Sequence, residues 1–92
     1  MDVDETDRIV VEFYGPFRAF GKEIELTVNG KVTFDELVGI LAQRLGEPFR
    51  ERALMRNTTF IVNDRRIERK KRGEVHIHSG DRVAFALLIG GG

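Results

Sequence analysis

Apolar and polar positions alternate in two early stretches. In residues 8–15, RIVVEFYG, Ile9, Val11 and Phe13 fall on one face and Val10, Glu12 and Tyr14 on the other. That is the two-residue period of a strand, and Gly15-Pro16 is a turn signal that ends it. Residues 22–28, KEIELTV, repeat the pattern with Ile24, Leu26 and Val28 inward, then meet the turn pair Asn29-Gly30. Two strands joined through 16–21 predict an opening hairpin.

The period changes after Val32. Phe34, Leu37, Val38, Leu41 and Leu45 mark one helical face. Thr33 followed by Glu36 is a capping box, in which each side chain satisfies a backbone N–H at the helix start, with Val32 and Leu37 in the flanking staple positions. Gly46 and Pro48 supply the stop. Gly39 weakens the helix by up to ~1 kcal/mol relative to Ala, which the cap and the apolar face outweigh. Residues 49–55 add a short helical turn. Thr58 to Asn63 read as a strand, and 64–74, DRRIERKKRGE, as an exposed loop. Residues 75–77 are a short extended piece, 78–81 a turn, and 82–88 the last strand. Being apolar on both faces, that strand suits a central position, with Val83, Phe85 and Leu87 toward the helix and Ala84, Ala86 and Leu88 on the uncovered face. The order β-β-α-β-β predicts an α+β roll.

Composition narrows the function classes. Ninety-two residues fit one domain, 1–92, with a flexible acidic segment at 1–7 and a flexible glycine tail at 89–92. Formal charge is zero, which argues against a surface built for nucleic acid. The absence of Cys excludes disulfides, a thiolate nucleophile and a Cys-based metal site. Residues 1–7, MDVDETD, do not resemble a secretory leader, and the apolar run 83–89 is too short for a membrane helix. The expectation is a cytoplasmic protein without a membrane partner. His76 and His78 share one side of an extended piece, but no third ligand lies near in sequence, so they read as surface residues and no metal site is expected. Ser79, Thr58 and Thr59 have no plausible base, so nucleophilic catalysis has no support. The cationic run 65–72 reads as a solvated loop; its functional alternatives are steering toward an acidic partner or contact with RNA.

Several features form a recognisable set: the element order, the Val62-Asn63 strand end, SGDRVAF leading into the last strand, and the terminal glycines. Over nearly the whole chain they resemble the ubiquitin-like sulfur carriers, the small subunit of molybdopterin synthase (MoaD) and the thiazole-pathway carrier ThiS. The likeness to MoaD is the stronger. Its members begin I-x-V-x-F-F/Y, carry an arginine in the first loop (here Arg18), and end near GD-x-V-A-x-x-P-P-V-x-G-G. Residues 80–92, GDRVAFALLIGGG, align with that ending without a gap, Leu87 and Leu88 standing in place of the two prolines. The resemblance implies a β-grasp roll with one main helix on a mixed sheet.

It also implies a chemistry for the tail. A C-terminal carboxylate, with a pKa of about 3.3–3.7, is ionised and a poor electrophile at neutral pH. In the family an E1-like adenylating enzyme uses ATP to convert it to an acyl-adenylate, and sulfur then displaces AMP to leave a thiocarboxylate. This chain has no G-x-x-x-x-G-K-[ST] phosphate loop, so it is expected to bind no cofactor itself and to be a carrier rather than an enzyme. Gly92 would carry the sulfur. Gly90 and Gly91, lacking Cβ atoms, would pass through a narrow channel, and residues 88–92 extended would reach roughly 16–18 Å. The family also implies docking through the uncovered sheet face, here Tyr14, Ala84, Ala86 and Leu88, with Arg66 beside them. The partners implied are the adenylating enzyme and the large subunit of molybdopterin synthase or another sulfur acceptor. A carrier for thiamine or tRNA thiolation, a protein modifier joined to lysines through the same carboxyl, and an interaction module with an inert tail remain the alternatives.

Overall fold

The computed structural model describes residues 8–87; the expectations for 1–7 and 88–92 lie outside them. Five strands form a mixed sheet in the order β2-β1-β7-β4-β5. They are β1 (Arg8–Phe13), β2 (Glu23–Thr27), β4 (Thr58–Val62), β5 (Arg65–Ile67) and β7 (Arg82–Leu87). Strands β1 and β7 run parallel at the centre, pairing Val11 with Val83 and Phe13 with Phe85, and the other pairs are antiparallel. The expected central place of the last strand is observed. Helix α1 (Phe34–Leu45) carries the expected apolar face, with Phe34, Leu37, Val38 and Leu41 buried in one cluster with Ile9, Val11, Val83 and Phe85.

The capping box forms as its residues require. Glu36 N donates to Thr33 Oγ1 at 3.1 Å, and Thr33 N donates to Glu36 Oε1 at 2.8 Å. Gly46 stops the helix at φ 98°, its N–H donating to Ala42 O, and Pro48 opens α2 (Glu47–Ala53), which buries Phe49 and Ala53. All seven Phe residues meet in one aromatic group. Phe85 is its hub, with ring centroids 5.2–6.4 Å from Phe13, Phe17, Phe34, Phe49 and Phe60.

Residues 64–74 are not an exposed loop. Asn63 and Asp64 both take left-handed backbone angles, φ 50° and 68°, and Asn and Asp tolerate that region better than most side chains. The resulting two-residue turn has the twist that a tight hairpin needs and folds β5 back on β4, pairing Ile61 with Arg66. A 3-10 helix follows at Arg69–Glu74 and buries Arg72, which is 8% exposed. The connection expected at 16–21 is likewise ordered, as a 3-10 helix, Gly15–Phe20, that turns Phe17 into the core. A second, two-stranded sheet pairs β3 (Lys31–Thr33) with β6 (His76–His78) around buried Ile77.

The turn before β7 is locked from both sides. Gly80 at φ 93° adopts a conformation that favours glycine, and its N–H donates to Arg8 O at 2.8 Å. Asp81 accepts from His78 N at 2.8 Å and Asn63 Nδ2 at 3.0 Å. Asn63 Oδ1 accepts from Arg82 N at 2.9 Å. The SGD approach is thus a clamp that sets the register of β7.

Truncating Phe85 to Ala should cost about 3–5 kcal/mol, as for other buried aromatic rings, and Thr33→Ala about 1 kcal/mol through loss of the cap. Urea unfolding of both variants checks the ranking. A loss under about 1 kcal/mol for Phe85→Ala would contradict the hub assignment.

Candidate functional site

The sheet has one covered face and one open face. The large buried side chains of the helices belong to the core cluster on the covered face. Strand register assigns the other side: Glu12, Ala84, Ile61 and Arg66 lie in one row across β1, β7, β4 and β5. Ala86 and Thr59 form the next row, and Tyr14, 43% exposed, continues β1 beside them through a bond from its N–H to Phe85 O at 3.0 Å. Tyr14 is held by Arg18. The Arg18 Nε donates to Phe13 O at 2.8 Å, and its guanidinium carbon stands 5.9 Å from the Tyr14 ring centroid. Such a contact positions an exposed aromatic ring and contributes about 0.5–1 kcal/mol.

Of the expected docking residues, Tyr14, Ala86 and Arg66 lie on this open face. Ala84 lies there too but is only 5% exposed. A methyl group between the longer Glu12 and Ile61 side chains of the flanking strands is shaded by them, so Ala84 contributes little contact surface. Half-buried Ile61, Val10 and Thr59 fill the face instead. The alternation in 58–63 carried the signal for Ile61 and Thr59, since Phe60 and Val62 take the inward positions. Toward β2 the face becomes polar and paired, with Arg82–Glu12 at 2.8 Å and Arg8–Glu25 at 2.9 Å. The surface is therefore a small apolar strip bordered by ion pairs on one side and Arg66 on the other.

The expected tail residues, Leu88, Gly90, Gly91 and Gly92, lie outside the described residues. Their point of origin is defined. Strand β7 is paired on both sides, and its last two residues, Ala86 and Leu87, stand opposite Thr59 and Thr58. The strip and the root of the tail therefore adjoin each other. Leu87, expected to face the helix, is half-buried at this end.

Ser79, Thr58 and His78, among the other candidate side chains, have structural partners. Ser79 Oγ donates to Val28 O at 3.1 Å and Gly30 O at 3.2 Å, and Thr58 Oγ1 donates to Arg52 O. His76 and His78 are exposed on either side of Ile77, and His78 Nδ1 lies 3.8 Å from Asp81 Oδ2. Among the described residues no group of three His, Cys, Asp or Glu side chains is placed to hold a metal. No helix among them is long and apolar enough to cross a membrane.

Comparison with solved structures identifies the fold. The chain is similar to the HVO 2177 protein of Haloferax volcanii, at TM-score 0.74 and 18% identity over 100% of this chain and 94% of that one. It is similar to small archaeal modifier protein 1 from Methanosarcina acetivorans, at TM-score 0.70 and 13% identity over 92% and 96%. Subunit 1 and 2 of the molybdopterin-converting factor from Helicobacter pylori were solved as a protein–protein complex, a chain of which matches at TM-score 0.61 and 20% identity over 92% and 99%. These likenesses show the β-grasp, ubiquitin-like fold expected from the sequence. No protein-family model matches the sequence, and no curated protein matches it.

If the open strip is free for a partner, its side chains should be dispensable for folding. Tyr14→Ala and Ala86→Ser should each change unfolding free energy by less than about 1 kcal/mol, as surface substitutions do. Thermal unfolding of the two variants checks this; a larger loss would assign the strip to the fold's own stability.

Proposed function

We propose that this chain is a sulfur carrier that works through the carboxyl group of Gly92. The observation that carries the reading is the placement of β7. The strand leading into the glycine-rich end is the central strand of the sheet, paired on both edges, and an open apolar strip adjoins its end. A folded body anchors the arm at its root, and a partner can grip that body while receiving the tip. The names of the similar structures, an archaeal modifier protein and a molybdopterin-converting factor, agree with this use of the fold.

In the reaction, the Gly92 carboxylate attacks the α-phosphate of ATP in an E1-like adenylating enzyme, and pyrophosphate leaves. Hydrosulfide released by a sulfur donor then attacks the acyl carbon, AMP departs with the bonding electron pair, and loss of the S–H proton to solvent leaves a thiocarboxylate. This chain contributes the acyl group and a docking surface. Tyr14, Ile61 and Ala86 would meet the partner's apolar groups, and Arg66 would meet a carboxylate at the rim. Molybdopterin synthesis, with a large subunit as acceptor, is the destination favoured by the GDRVAF…GG ending and by the two-subunit complex among the similar structures. The archaeal modifier supports a second reading, in which a lysine amine attacks the same adenylate and forms an isopeptide bond. The two readings share the activation step and differ only in the nucleophile.

Incubation with an adenylating enzyme, ATP and a sulfur donor, followed by intact-mass measurement, tests the proposal. The expected product has one oxygen of the Gly92 carboxyl replaced by sulfur. Deleting Gly91 and Gly92 should abolish it, and Tyr14→Ala combined with Ile61→Asp should slow its formation about tenfold or more, as loss of interface anchors does. An unmodified chain with an enzyme that charges its own carrier would contradict the reading, and lysine branches ending in Gly-Gly-Gly without thiocarboxylate would favour the modifier.

A further inference from the structure

Arg66, Arg69 and Arg72 of the cationic run 65–72 line one cleft together with Arg56, and of these the proposed carrier chemistry uses only Arg66, at the docking rim. The cleft, of about 490 Å³, opens where β5 and the following 3-10 helix meet the start of β4. Its walls carry Arg56, Arg66, Arg69 and Arg72, with Asn57 and Thr59 between them. Glu68 is the single carboxylate of the lining among the described residues. None of the four arginines has a carboxylate oxygen within 4.0 Å among the described residues. Asp35, which lines the neighbouring groove with Arg69 and Arg72, makes no such pair either.

Arg72 makes this arrangement unusual. It is more than nine-tenths buried. Its Nη2 donates to Thr58 O at 2.6 Å and its guanidinium carbon lies 5.7 Å from the Phe34 ring centroid, but Nε has no hydrogen-bond partner among the described residues. Burial first, and then the charges of Arg69 and Arg66, push its pKa below the ordinary arginine value. Among the described residues this buried charge has no counterion, which is costly, and Arg69 and Arg66 add repulsion. The arrangement becomes favourable when an anion occupies the centre.

We propose that this arginine-lined cleft is a binding site for a phosphate-type oxyanion carried by a small molecule. Guanidinium groups present planar pairs of N–H donors that match phosphate oxygens two at a time. Arg56, Arg66 and Arg69 are exposed on the lining, and buried Arg72 adds positive charge to it. Four cations against one carboxylate suit a ligand bearing more than one negative charge. The volume falls within the range of small-molecule sites, about 300–1,000 Å³, and exceeds what one phosphate fills. Nucleic acid fits less well: the cleft is one concavity rather than a stripe, and its lining includes no aromatic side chain on which a base could stack. The site lies beside Thr58, the partner of Leu87 at the root of the tail, yet the proposal holds whether or not Gly92 carries sulfur.

Titration of the full chain with pyrophosphate, followed by the arginine Nε–Hε signals in ¹⁵N NMR, tests it. The buried Nε of Arg72 should give a slowly exchanging resonance that shifts and saturates at one equivalent. Inorganic phosphate should bind more weakly, and sodium chloride at matched ionic strength should leave the signal in place. Arg66→Ala and Arg69→Ala, both exposed positions where folding is retained, should each weaken pyrophosphate about tenfold. Binding of ATP tighter than pyrophosphate would place the nucleoside in the remaining volume, and equal binding would make the phosphates the whole of the recognised group. A shift that never saturates, affinity unchanged in both variants, or binding of an RNA oligonucleotide but not of pyrophosphate would overturn the proposal.

Discussion

Phe85 stands at the centre of the aromatic core that ties the two ends of the described chain together. It belongs to the strand nearest the end of the chain, yet its ring touches aromatic side chains from β1, both helices, the first 3-10 helix and β4. The parallel β1–β7 pair beneath it joins segments from opposite ends of the sequence. Such non-local pairing is entropically demanding, because a long loop must close before any contact forms. The aromatic group offsets that cost: each ring buries a large area, and edge-to-face pairs add about 0.5–1.5 kcal/mol beyond it. The clamp of Gly80, Asp81 and Asn63 then sets the register, so that Val83 and Phe85 point inward and Ala84 and Ala86 outward. A one-residue slip would exchange these sets.

This arrangement would let a domain present its chain end as a working part, the role proposed for Gly92. The last strand is held on both edges and through its inward face. Whatever follows Leu87 is anchored at a fixed point beside the open strip of Tyr14, Ile61 and Ala86. Rigidity at the root and freedom from packed structure on the open face are complementary properties, and both come from β7 being central.

Most of the fold was legible in periodicity. Strands β1 and β2, the capped helix, β4 and the central place of β7 follow from alternation, the Thr33–Glu36 box and a strand apolar on both sides. What escaped had competing signals. The segment 64–74 is so rich in charge that a loop was the natural reading, and Asn63-Asp64 is a weaker turn signature than Asn-Gly. The burial of Arg72 depends on Phe34 and Thr58, remote in sequence, and periodicity carries no trace of it. Phe17 is one apolar residue in a turn, with no period to reveal it. On the site, the open face was legible by parity, but the shading of Ala84 was not, because it depends on which side chains the neighbouring strands place beside it. Likewise a formal charge of zero hides local order, since paired carboxylates and arginines occupy one side of the open face while arginines without an ion-pair partner among the described residues collect in the cleft.

The central claim is that the carboxyl group of Gly92 is the reactive handle of this fold. ATP–pyrophosphate exchange by an adenylating partner tests it most directly, because exchange requires the free carboxylate and no later sulfur step. Exchange that depends on the chain and disappears when the Gly92 carboxyl is converted to an amide is the predicted result. Equal exchange with the amidated chain, or none with either form by an enzyme active on its own carrier, would contradict it.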